Sequence, residues 1–299
     1  MNTKKSIHFI INPISGRGQN LLNIDLISSV LNKEDYEVVL KVSQHKNNIN
    51  SLTKTSIKEN ADIIVACGGD GTINKVATHL VNTHTTLGII KFGSGNGLAS
   101  HLDIPNELLS ALEVIKNHNE TKIDVGVVDQ FFFFSNMSVG VGAKVINHYT
   151  RYKKRQFISY LRATLKALWS ETPPLKVELD IDGIKKIISP LVLFVSNSNE
   201  MGYNISFTPK ASLHDGRLDV VMTEQLSFFQ KLRFVQQIVF SKNKIFKKAE
   251  YFLIEKMKVT NKHEGHFLIQ LDGESVVINS KELEISVRNA ALNVIVPES

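Results

Sequence analysis

The sequence predicts an N-terminal α/β domain, with a parallel sheet covered on both faces, followed by an antiparallel β domain. Apolar strand-like runs alternate with helix-like segments up to about residue 122. Beyond that point most apolar runs are strand-like, and turns such as Asp182-Gly183 and Asp272-Gly273 separate them. A chain of 299 residues is long for one hydrophobic core, so we expect two domains.

In the first domain, strands are expected where apolar residues cluster in short runs, and helices where they recur every three or four positions. The predicted strands are Ile7–Ile11, Tyr36–Val42, Ile63–Cys67 and Leu87–Phe92. The predicted helices are Asn20–Leu31, Asn48–Glu59, Thr72–Asn82, Leu98–Leu102 and Asn106–Asn117. In such an alternating sheet, ligands bind at the carboxyl ends of the strands.

In the second domain, the runs are short and mostly rich in β-branched and aromatic residues. The predicted strands are Ile123–Val128, Phe131–Ser135, Leu175–Ile181, Lys185–Ile188, Leu191–Ser196, Leu218–Thr223, Phe252–Thr260, Phe267–Leu271 and Leu283–Val287. Two helical segments are predicted at Gln156–Trp169 and Ser227–Phe240, and a last strand at Leu292–Val296.

Composition restricts the class of protein without identifying it. The net charge of +6 and the pI of about 9.2 favour anionic partners, namely nucleotide, nucleic acid or anionic lipid. The single cysteine, Cys67, excludes an internal disulfide and is expected to be a buried, inert thiol. No 18-residue apolar window occurs and the N-terminal apolar run is too short for a signal peptide, so we expect a cytoplasmic protein.

The glycine cluster Gly68-Gly69-Asp70-Gly71-Thr72 follows an apolar strand and precedes a helix. Glycines let the backbone approach a phosphate closely, and the free N–H groups of a helix start attract the anion. A carboxylate would repel phosphate unless it holds a metal ion, a hydroxyl group or the helix N-terminus. Asp70 therefore indicates phosphoryl chemistry, with a helix N-cap as the alternative.

Two more loops and one turn contain candidate binding or catalytic residues. Asn12-Pro13-Ile14-Ser15-Gly16 follows the first strand and offers hydroxyl and amide donors, although an ordinary surface turn is the alternative. The loop 93–97, with Ser94 in Gly93-Ser94-Gly95-Asn96-Gly97, follows the fourth strand. Glu274 follows Asp272-Gly273, and on the residues alone a general base and a plain hairpin turn are equal alternatives.

These motifs together resemble the diacylglycerol kinase catalytic-domain family, which includes sphingosine kinases, ceramide kinases and soluble bacterial lipid kinases. The match continues through Ile123-Asp124-Val125-Gly126, Pro209 to Asp219 and Leu271-Asp272-Gly273-Glu274, in order over nearly the whole chain. The resemblance implies an ATP-dependent kinase that phosphorylates a lipid hydroxyl, such as that of diacylglycerol or a related lipid alcohol.

The resemblance also implies the architecture. Residues 1–122 would form a three-layer α/β domain of the NAD-kinase and phosphofructokinase type, and residues 123–287 a β-sandwich. The end of the chain, about 288–299, would return to the first domain. ATP would lie between the domains, and the lipid in an apolar pocket of the second.

The resemblance assigns roles to particular residues. Asp70 would serve the phosphates and Mg²⁺, and Glu274 would be the general base. Contacts to ATP are implied for Asn12, Pro13, Ser15, Gly16, Ser43, Gly68, Gly69, Gly71, Thr72, Asn74 and Ser94. A structural Mg²⁺ would bind Asp215, with backbone carbonyls at Ser212 and Arg217, and Asp124 would join the same electrostatic network.

Two positions depart from the family pattern. Lys75 stands where the family has a glutamate, and Gly142 stands where many members have an aspartate tied to the lipid head group. The loss of that acid removes the counter-charge for a sphingoid amine, which argues against sphingosine as the acceptor.

The lipid partner implies contact with a membrane surface. Arg151–Arg155, followed by the amphipathic segment Gln156–Trp169, could dock on the inner face of an anionic membrane, or the helix could pack into the core. Lys242–Lys248 has the same two interpretations. No motif for binding nucleic acid is present, so no nucleic-acid partner is expected. The chain could form a homodimer. The alternatives in function are an NAD-kinase-like phosphotransferase on a soluble substrate and a non-catalytic nucleotide-binding module.

Overall fold

The computed structural model describes residues 4–15, 22–44, 48–92, 96–152, 157–170, 175–200, 206–240, 246–263 and 265–298. The chain divides into two compact units. The first comprises Met1–Ile123 with Ala290–Ser299, and the second comprises Asp124–Asn289.

The first unit alternates strands and helices. Its elements are β1 (Lys5–Ile11), α1 (Ile24–Val30), β2 (Tyr36–Val42), α2 (Asn48–Lys58), β3 (Ile63–Gly68), α3 (Asp70–Leu80), β4 (Thr86–Lys91), α4 (Gly97–His101) and α5 (Leu108–Asn117). The strand order is β2-β1-β3-β4, and every pairing is parallel. Every residue of β3 is buried, as expected for a central strand covered on both faces.

The second unit is mostly antiparallel β structure. Its elements are β5 (Glu120–Val128), β6 (Phe131–Phe133), β7 (Asn136–Gly140), α6 (Val141–Tyr149), α7 (Phe157–Leu168), β8 (Val177–Ile181), β9 (Ile184–Ile188), β10 (Pro190–Ser196), β11 (Leu218–Glu224), α8 (Phe228–Phe240), β12 (Glu250–Ile254), β13 (Lys256–Asn261), β14 (Phe267–Leu271), β15 (Glu274–Ile278) and β16 (Glu282–Ile295). Strands β5 and β16 begin or end in the first unit.

Two sheets face each other across the core of the second unit. One has the order β12-β11-β10-β7-β14-β15, and the other contains β16-β13-β8-β9, with β5 paired to β16 and β6 paired to β5. The core cluster takes side chains from both sheets, for example Leu193 and Ile269 from the first and Val259 and Leu283 from the second. Another cluster packs the three helices against the first sheet, through residues such as Val145, Ala163, Phe194 and Phe234.

The last strand returns to the first unit. Ala290 has a φ of 48°, a left-handed conformation, at the point where β16 leaves the second unit. Beyond it, Val294 pairs in parallel with Leu87 of β4, and the N–H of Val296 donates to the carbonyl of Asn119 at 2.9 Å. The C-terminal segment is therefore a fifth strand of the parallel sheet.

The predicted fold class is confirmed, with an α/β domain followed by a β-sandwich. Several elements differ from their predictions. The predicted strand Phe252–Thr260 is two strands, interrupted at Glu255, and the two last predicted strands are both part of β16. β7, β15 and α6 were not predicted. Among the described residues, no helix has both the length and the apolarity to cross a bilayer.

Candidate functional site

In the first unit, loops follow the carboxyl ends of β1, β2, β3 and β4, which meet at one edge of the parallel sheet. Backbone hydrogen bonds extend the pairing just beyond the strands. The N–H of Asn12 donates to the carbonyl of Cys67 at 3.0 Å, and that of Phe92 donates to Gly68 at 2.8 Å. The N–H of Ser43 donates to Ile11 at 2.8 Å, which places this buried serine beside the first loop.

Asn12 connects the first loop to the helix after the glycine cluster. Its Nδ2 donates to the buried hydroxyl of Thr72 at 3.0 Å, and its Oδ1 accepts the N–H of Ile14 at 3.3 Å. Pro13 is exposed and Ser15 is half-buried in the same turn. Gly16 lies outside the described residues. The structure thus brings together Asn12 and Thr72, two of the predicted nucleotide contacts.

Two glycines of the second loop, Gly68 and Gly69, lie close to neighbouring atoms. A Cβ on Gly68 would lie 2.5 Å from the Thr72 hydroxyl oxygen, and one on Gly69 would lie 3.3 Å from the Phe92 carbonyl. Gly69 is the N-cap of α3 and makes no side-chain bond there. Gly71 and Asn74 are partly exposed in the first turns of α3, as is Lys75.

Asp70 is the first residue of α3, and it caps another helix. Its Oδ2 accepts the N–H of Asn96 at 2.7 Å, and its Oδ1 accepts the N–H of Gly97, the first residue of α4, at 2.9 Å. Burial raises the pKa of Asp70, and the hydrogen bonds from the two backbone N–H groups partly oppose that rise. Ser94, in the same third loop, lies outside the described residues.

This edge can bind an anion through backbone N–H groups, amides and hydroxyls. The Asp70 carboxylate accepts the N–H groups of Asn96, Gly97 and Asp70 itself, and its two oxygens keep further acceptor capacity for a proton donor or a hard cation. The roles predicted for the residues of this edge stay predictions.

In the second unit, Asp272 and Gly273 form the two-residue turn between β14 and β15. Their φ values are 43° and 83°, and Leu271 pairs with Glu274 across the turn. These are the positive φ values of a type I′ hairpin. Glu274 is the exposed first residue of β15. The hairpin interpretation is therefore correct for the backbone, and the role of Glu274 as a base stays a prediction.

Asp272 has a structural role that the sequence did not reveal. Its carboxylate accepts the N–H groups of Phe134, Ser135 and Asn136, at 2.7, 2.8 and 2.9 Å. Its own N–H donates to the carbonyl of Asn136 at 2.9 Å. Glu274 lies on this hairpin, and these bonds attach the hairpin to the start of β7. The local Asp-Gly pattern predicts only the turn. The hydrogen bonds of Asp272 join distant segments of the chain, so no local pattern indicates them.

The predicted structural metal residues lie on one loop. Asp215 is exposed and accepts the N–H of Arg217 at 3.1 Å, while the Ser212 hydroxyl accepts the N–H of His214 at 3.1 Å. Asp124, 3 % exposed, accepts the N–H of Gly216 at 2.7 Å. Asp124 lies inside β5, which begins at Glu120.

The predicted metal set contains one carboxylate and backbone carbonyls. No cluster of three or more His, Cys, Asp or Glu side chains suited to a metal occurs in the described ranges. The exposed Asp215 has the oxygen chemistry that Mg²⁺ prefers, so the set stays a prediction.

Asp219, in β11, is a buried acid to which the sequence assigned no role. Its Oδ1 accepts the hydroxyl of Tyr251. Burial raises the pKa of Asp219 to about 6, the hydrogen bond from Tyr251 opposes the rise, and the charge of Asp215 adds to it. Burial, followed by the same hydrogen bond, raises the pKa of Tyr251.

The space at Gly142 is taken by a neighbouring side chain. A Cβ on Gly142 would lie 2.2 Å from Oγ of Ser138. The Ser138 hydroxyl donates to Oε1 of Gln270 at 3.1 Å, and Nε2 of Gln270 donates to Oδ1 of Asn136 at 3.1 Å. A buried polar network thus occupies the space beside Gly142, the position at which the resemblance to the family predicts an aspartate in many members.

A cavity of about 490 Å³ lies in the second unit. Its apolar lining includes Val139, Leu168, Leu191 and Phe267. The apolar pocket that the resemblance implies for a lipid in the second domain stays a prediction.

Helices α7 and α8 present an exposed apolar surface, here called the aromatic patch. Trp169 contacts Phe228 at a ring distance of 6.0 Å, and Phe228 contacts Phe229 at 5.6 Å. Phe228 and Phe229 are 56 % and 74 % exposed, and Ile158 and Leu232 are exposed elsewhere on the same two helices. Residues 153–156 and 241–245, which carry much of the predicted basic charge, lie outside the described residues.

Two family models match consecutive parts of the chain. The model of the diacylglycerol kinase catalytic domain matches residues 6–128. The model of the YegS C-terminal NAD kinase beta sandwich-like domain matches residues 135–296.

Individual relatives and solved structures agree with these matches. A protein named diacylglycerol kinase from Staphylococcus aureus (strain bovine RF122 / ET3-1) is 26 % identical over 227 residues, 74 % of this chain and 71 % of the relative. One from strain JH9 is 26 % identical over 229 residues, with the same coverage. A crystal structure from Bacillus anthracis str. Sterne, provisionally named a diacylglycerol kinase, has a TM-score of 0.79 at 17 % identity, over 99 % of this chain and 97 % of that one.

Proposed function

Because the chain belongs to the diacylglycerol kinase catalytic-domain family, we propose that it transfers the terminal phosphoryl group of ATP to the hydroxyl of a lipid, such as diacylglycerol or a related lipid alcohol. The observation that carries this proposal is the pair of hydrogen bonds from Asn96 and Gly97 to Asp70. These bonds hold a carboxylate beyond the carboxyl end of β3, at the edge where parallel sheets of this kind generally bind ligands.

The nucleotide would bind at the carboxyl edge of the parallel sheet in the first unit. Asn12, Thr72 and Ser43 supply amide and hydroxyl groups there, and Gly68 and Gly69 keep the backbone free of side chains. Asp70 would hold Mg²⁺, which supplies positive charge to the phosphates when it is bound.

Glu274 would accept the proton of the lipid hydroxyl as its oxygen forms a bond to phosphorus and ADP leaves. An exposed carboxylate at the start of β15 is able to accept a proton from a bound alcohol. Asp272 would be a positioning residue, because its three hydrogen bonds to the backbone of 134–136 fix the turn from which Glu274 projects.

The protein would meet its lipid at the surface of a membrane, at the inner face if it is cytoplasmic. The aromatic patch supports this proposal, since exposed aromatic side chains insert at the interface between lipid and water. Arg162, Lys166 and Arg233 lie on the same two helices and add positive charge for anionic lipids.

The test is transfer of labelled phosphate from ATP, with Mg²⁺, to diacylglycerol, ceramide, phosphatidylglycerol and isoprenoid alcohols, and to a total lipid extract. We expect labelled product in the organic phase. Glu274→Gln should lower kcat by about 10²- to 10⁴-fold and leave nucleotide binding unchanged. The matched control is Glu255→Gln, at another exposed glutamate of the second unit, which should keep full activity.

An active preparation that binds ATP and labels no lipid would exclude the proposal. A water-soluble product would instead favour the alternative, an NAD-kinase-like phosphotransferase. Unchanged behaviour when both Asp70 and Glu274 are replaced would favour a non-catalytic nucleotide-binding module.

A further inference from the structure

The cavity of the second unit combines an apolar wall with cationic side chains. Its volume of about 490 Å³ lies within the range of about 300–1,000 Å³ that is typical of small-molecule sites. The apolar wall comes from the end of β7, the end of α7 and the starts of β10 and β14, through Val139, Leu168, Leu191 and Phe267.

Five basic or titratable side chains line the same cavity, namely Lys144, Lys176, Lys231, His263 and His266. None of the described residues that line it is an aspartate or glutamate. Lysine ammonium groups close to an apolar surface raise the local concentration of anions and disfavour cations. The cavity is therefore complementary in charge to an anion and in polarity to a hydrocarbon chain.

The structure holds some of these groups in defined positions. The ammonium of Lys231 donates to the carbonyl of Leu168 at 2.8 Å, and so links α8 to the last turn of α7. An ammonium has three donors, so this bond leaves capacity for a ligand. Asn261 arranges the turn that carries the two histidines, since its Oδ1 accepts the N–H of His263 and its Nδ2 donates to the carbonyl of His266, each at 3.0 Å.

The cavity lies at one end of the strands that also carry the Asp272 hairpin. Val139 lines it, whereas Asn136, at the other end of β7, bonds to Asp272. Val139 lies three positions beyond Asn136 along the strand, which corresponds to roughly 10 Å. The cationic lining is therefore not part of the turn that presents Glu274.

From these observations we propose that the cavity binds an anionic amphiphile, with its hydrocarbon chain against the apolar wall and its phosphate or carboxylate head among the three lysines. The ligand has two possible sources. It is either the lipid of the reaction, whose phosphorylated product is anionic, or a second anionic lipid that occupies the cavity during turnover.

The binding test uses the only tryptophan of the chain, Trp169, which lies between the cavity residues Leu168 and Ser170. Dodecyl phosphate, dodecanoate, dodecyltrimethylammonium and dodecyl maltoside are titrated below their micelle concentrations without nucleotide, and tryptophan emission is recorded. We expect saturable changes with the two anions, at affinities at least tenfold above those of the cationic and neutral amphiphiles. Added salt should weaken only the binding of the anions.

Lys176 and Lys247 supply a matched pair of exposed lysines in the second unit. Lys176→Glu should weaken the binding of dodecyl phosphate about tenfold or more. Lys247→Glu, the same charge change at a residue that does not line the cavity, should leave it unchanged. Lys144→Glu, a second cavity lysine, should repeat the result of Lys176→Glu. Equal affinity for anionic and cationic chains, or equal behaviour of Lys176→Glu and Lys247→Glu, would overturn the proposal.

A kinetic measurement then separates the two sources. Competition of dodecyl phosphate with the lipid acceptor would assign the cavity to the lipid of the reaction, and simultaneous binding would assign it to a second lipid. The binding test itself needs no turnover, so it stands even if the proposed kinase activity fails.

Discussion

The carboxylate of Asp70 caps α4 through the backbone N–H of Gly97, which lies 2.9 Å from Oδ1. An acid at the first position of α3 would ordinarily be expected to serve its own helix, where negative charge is favourable. Here the carboxylate reaches across to the third loop, and Oδ2 accepts the N–H of Asn96 as well. One side chain therefore links the start of α3 to Asn96 and to the start of α4.

The first prediction concerns Asp70→Asn. The amide keeps one acceptor oxygen, but its NH₂ group must face a backbone N–H donor, so one hydrogen bond is lost. We expect transfer to fall by at least about 100-fold, and the free energy of unfolding to fall by about 1–3 kcal/mol. Urea unfolding and the lipid transfer assay measure the two effects.

The control for Asp70 is Asp25→Asn, because Asp25 is also an acid in the first turn of a helix, and it is exposed. It should leave both quantities unchanged. If Asp70→Asn destabilises the protein while phosphoryl transfer remains at the wild-type rate, the carboxylate has a structural role only.

The strands that the sequence predicted well are those whose apolar residues are contiguous. β3 and β14 are examples, because burial of successive apolar residues leaves a local pattern. β7 was missed because its sequence, NMSVG, contains polar residues that are buried. Asn136 and Ser138 are satisfied there by Gln270, which is more than 130 residues away in the chain.

The same distinction applies to the candidate site. The glycine loops were predicted because their pattern of glycine and hydroxyl residues is local. The bonds from Asp272 to the backbone of 134–136, and from Asp124 to Gly216, join distant segments and have no local signature. Local turn propensity predicts where a turn forms, but it does not predict which distant segment the turn forms hydrogen bonds with.

The second prediction concerns Asp272→Asn. Asparagine tolerates the positive φ of this turn, so the substitution tests the hydrogen bonds rather than the backbone conformation. Three N–H donors would share one acceptor oxygen, and we expect a loss of about 1–3 kcal/mol in urea unfolding. Asp182→Asn is the matched control, since Asp182-Gly183 forms a similar turn with φ values of 52° and 82°. Equal effects at both turns would contradict the role given to Asp272.

The third prediction concerns the crowding between Gly142 and Ser138. Gly142→Ala places a Cβ 2.2 Å from Oγ and 2.8 Å from Cβ of Ser138, and we expect a loss of about 1–3 kcal/mol in unfolding free energy. Ser138→Gly removes the side chain that the alanine would contact. In that background, Gly142→Ala should lower the unfolding free energy by about 1 kcal/mol or more less than it does in the wild type. A double-mutant cycle by urea unfolding measures this coupling, and strict additivity would contradict it.

The fourth prediction is a pH dependence of stability that arises from Asp219. Burial raises its folded pKa from 3.8 to about 6, so the folded state holds a proton that the unfolded state has released between these values. The contribution of Asp219 to stability therefore falls as pH rises through this window. Asp219→Asn stays neutral and can still accept the Tyr251 hydroxyl. Urea unfolding between pH 4 and 7 should show wild type losing about 2–3 kcal/mol relative to the variant. Asp103 is exposed, and Asp103→Asn is the control, which should follow the pH profile of the wild type. Parallel pH profiles for wild type and Asp219→Asn would contradict the prediction, because they would show that Asp219 keeps its ordinary pKa.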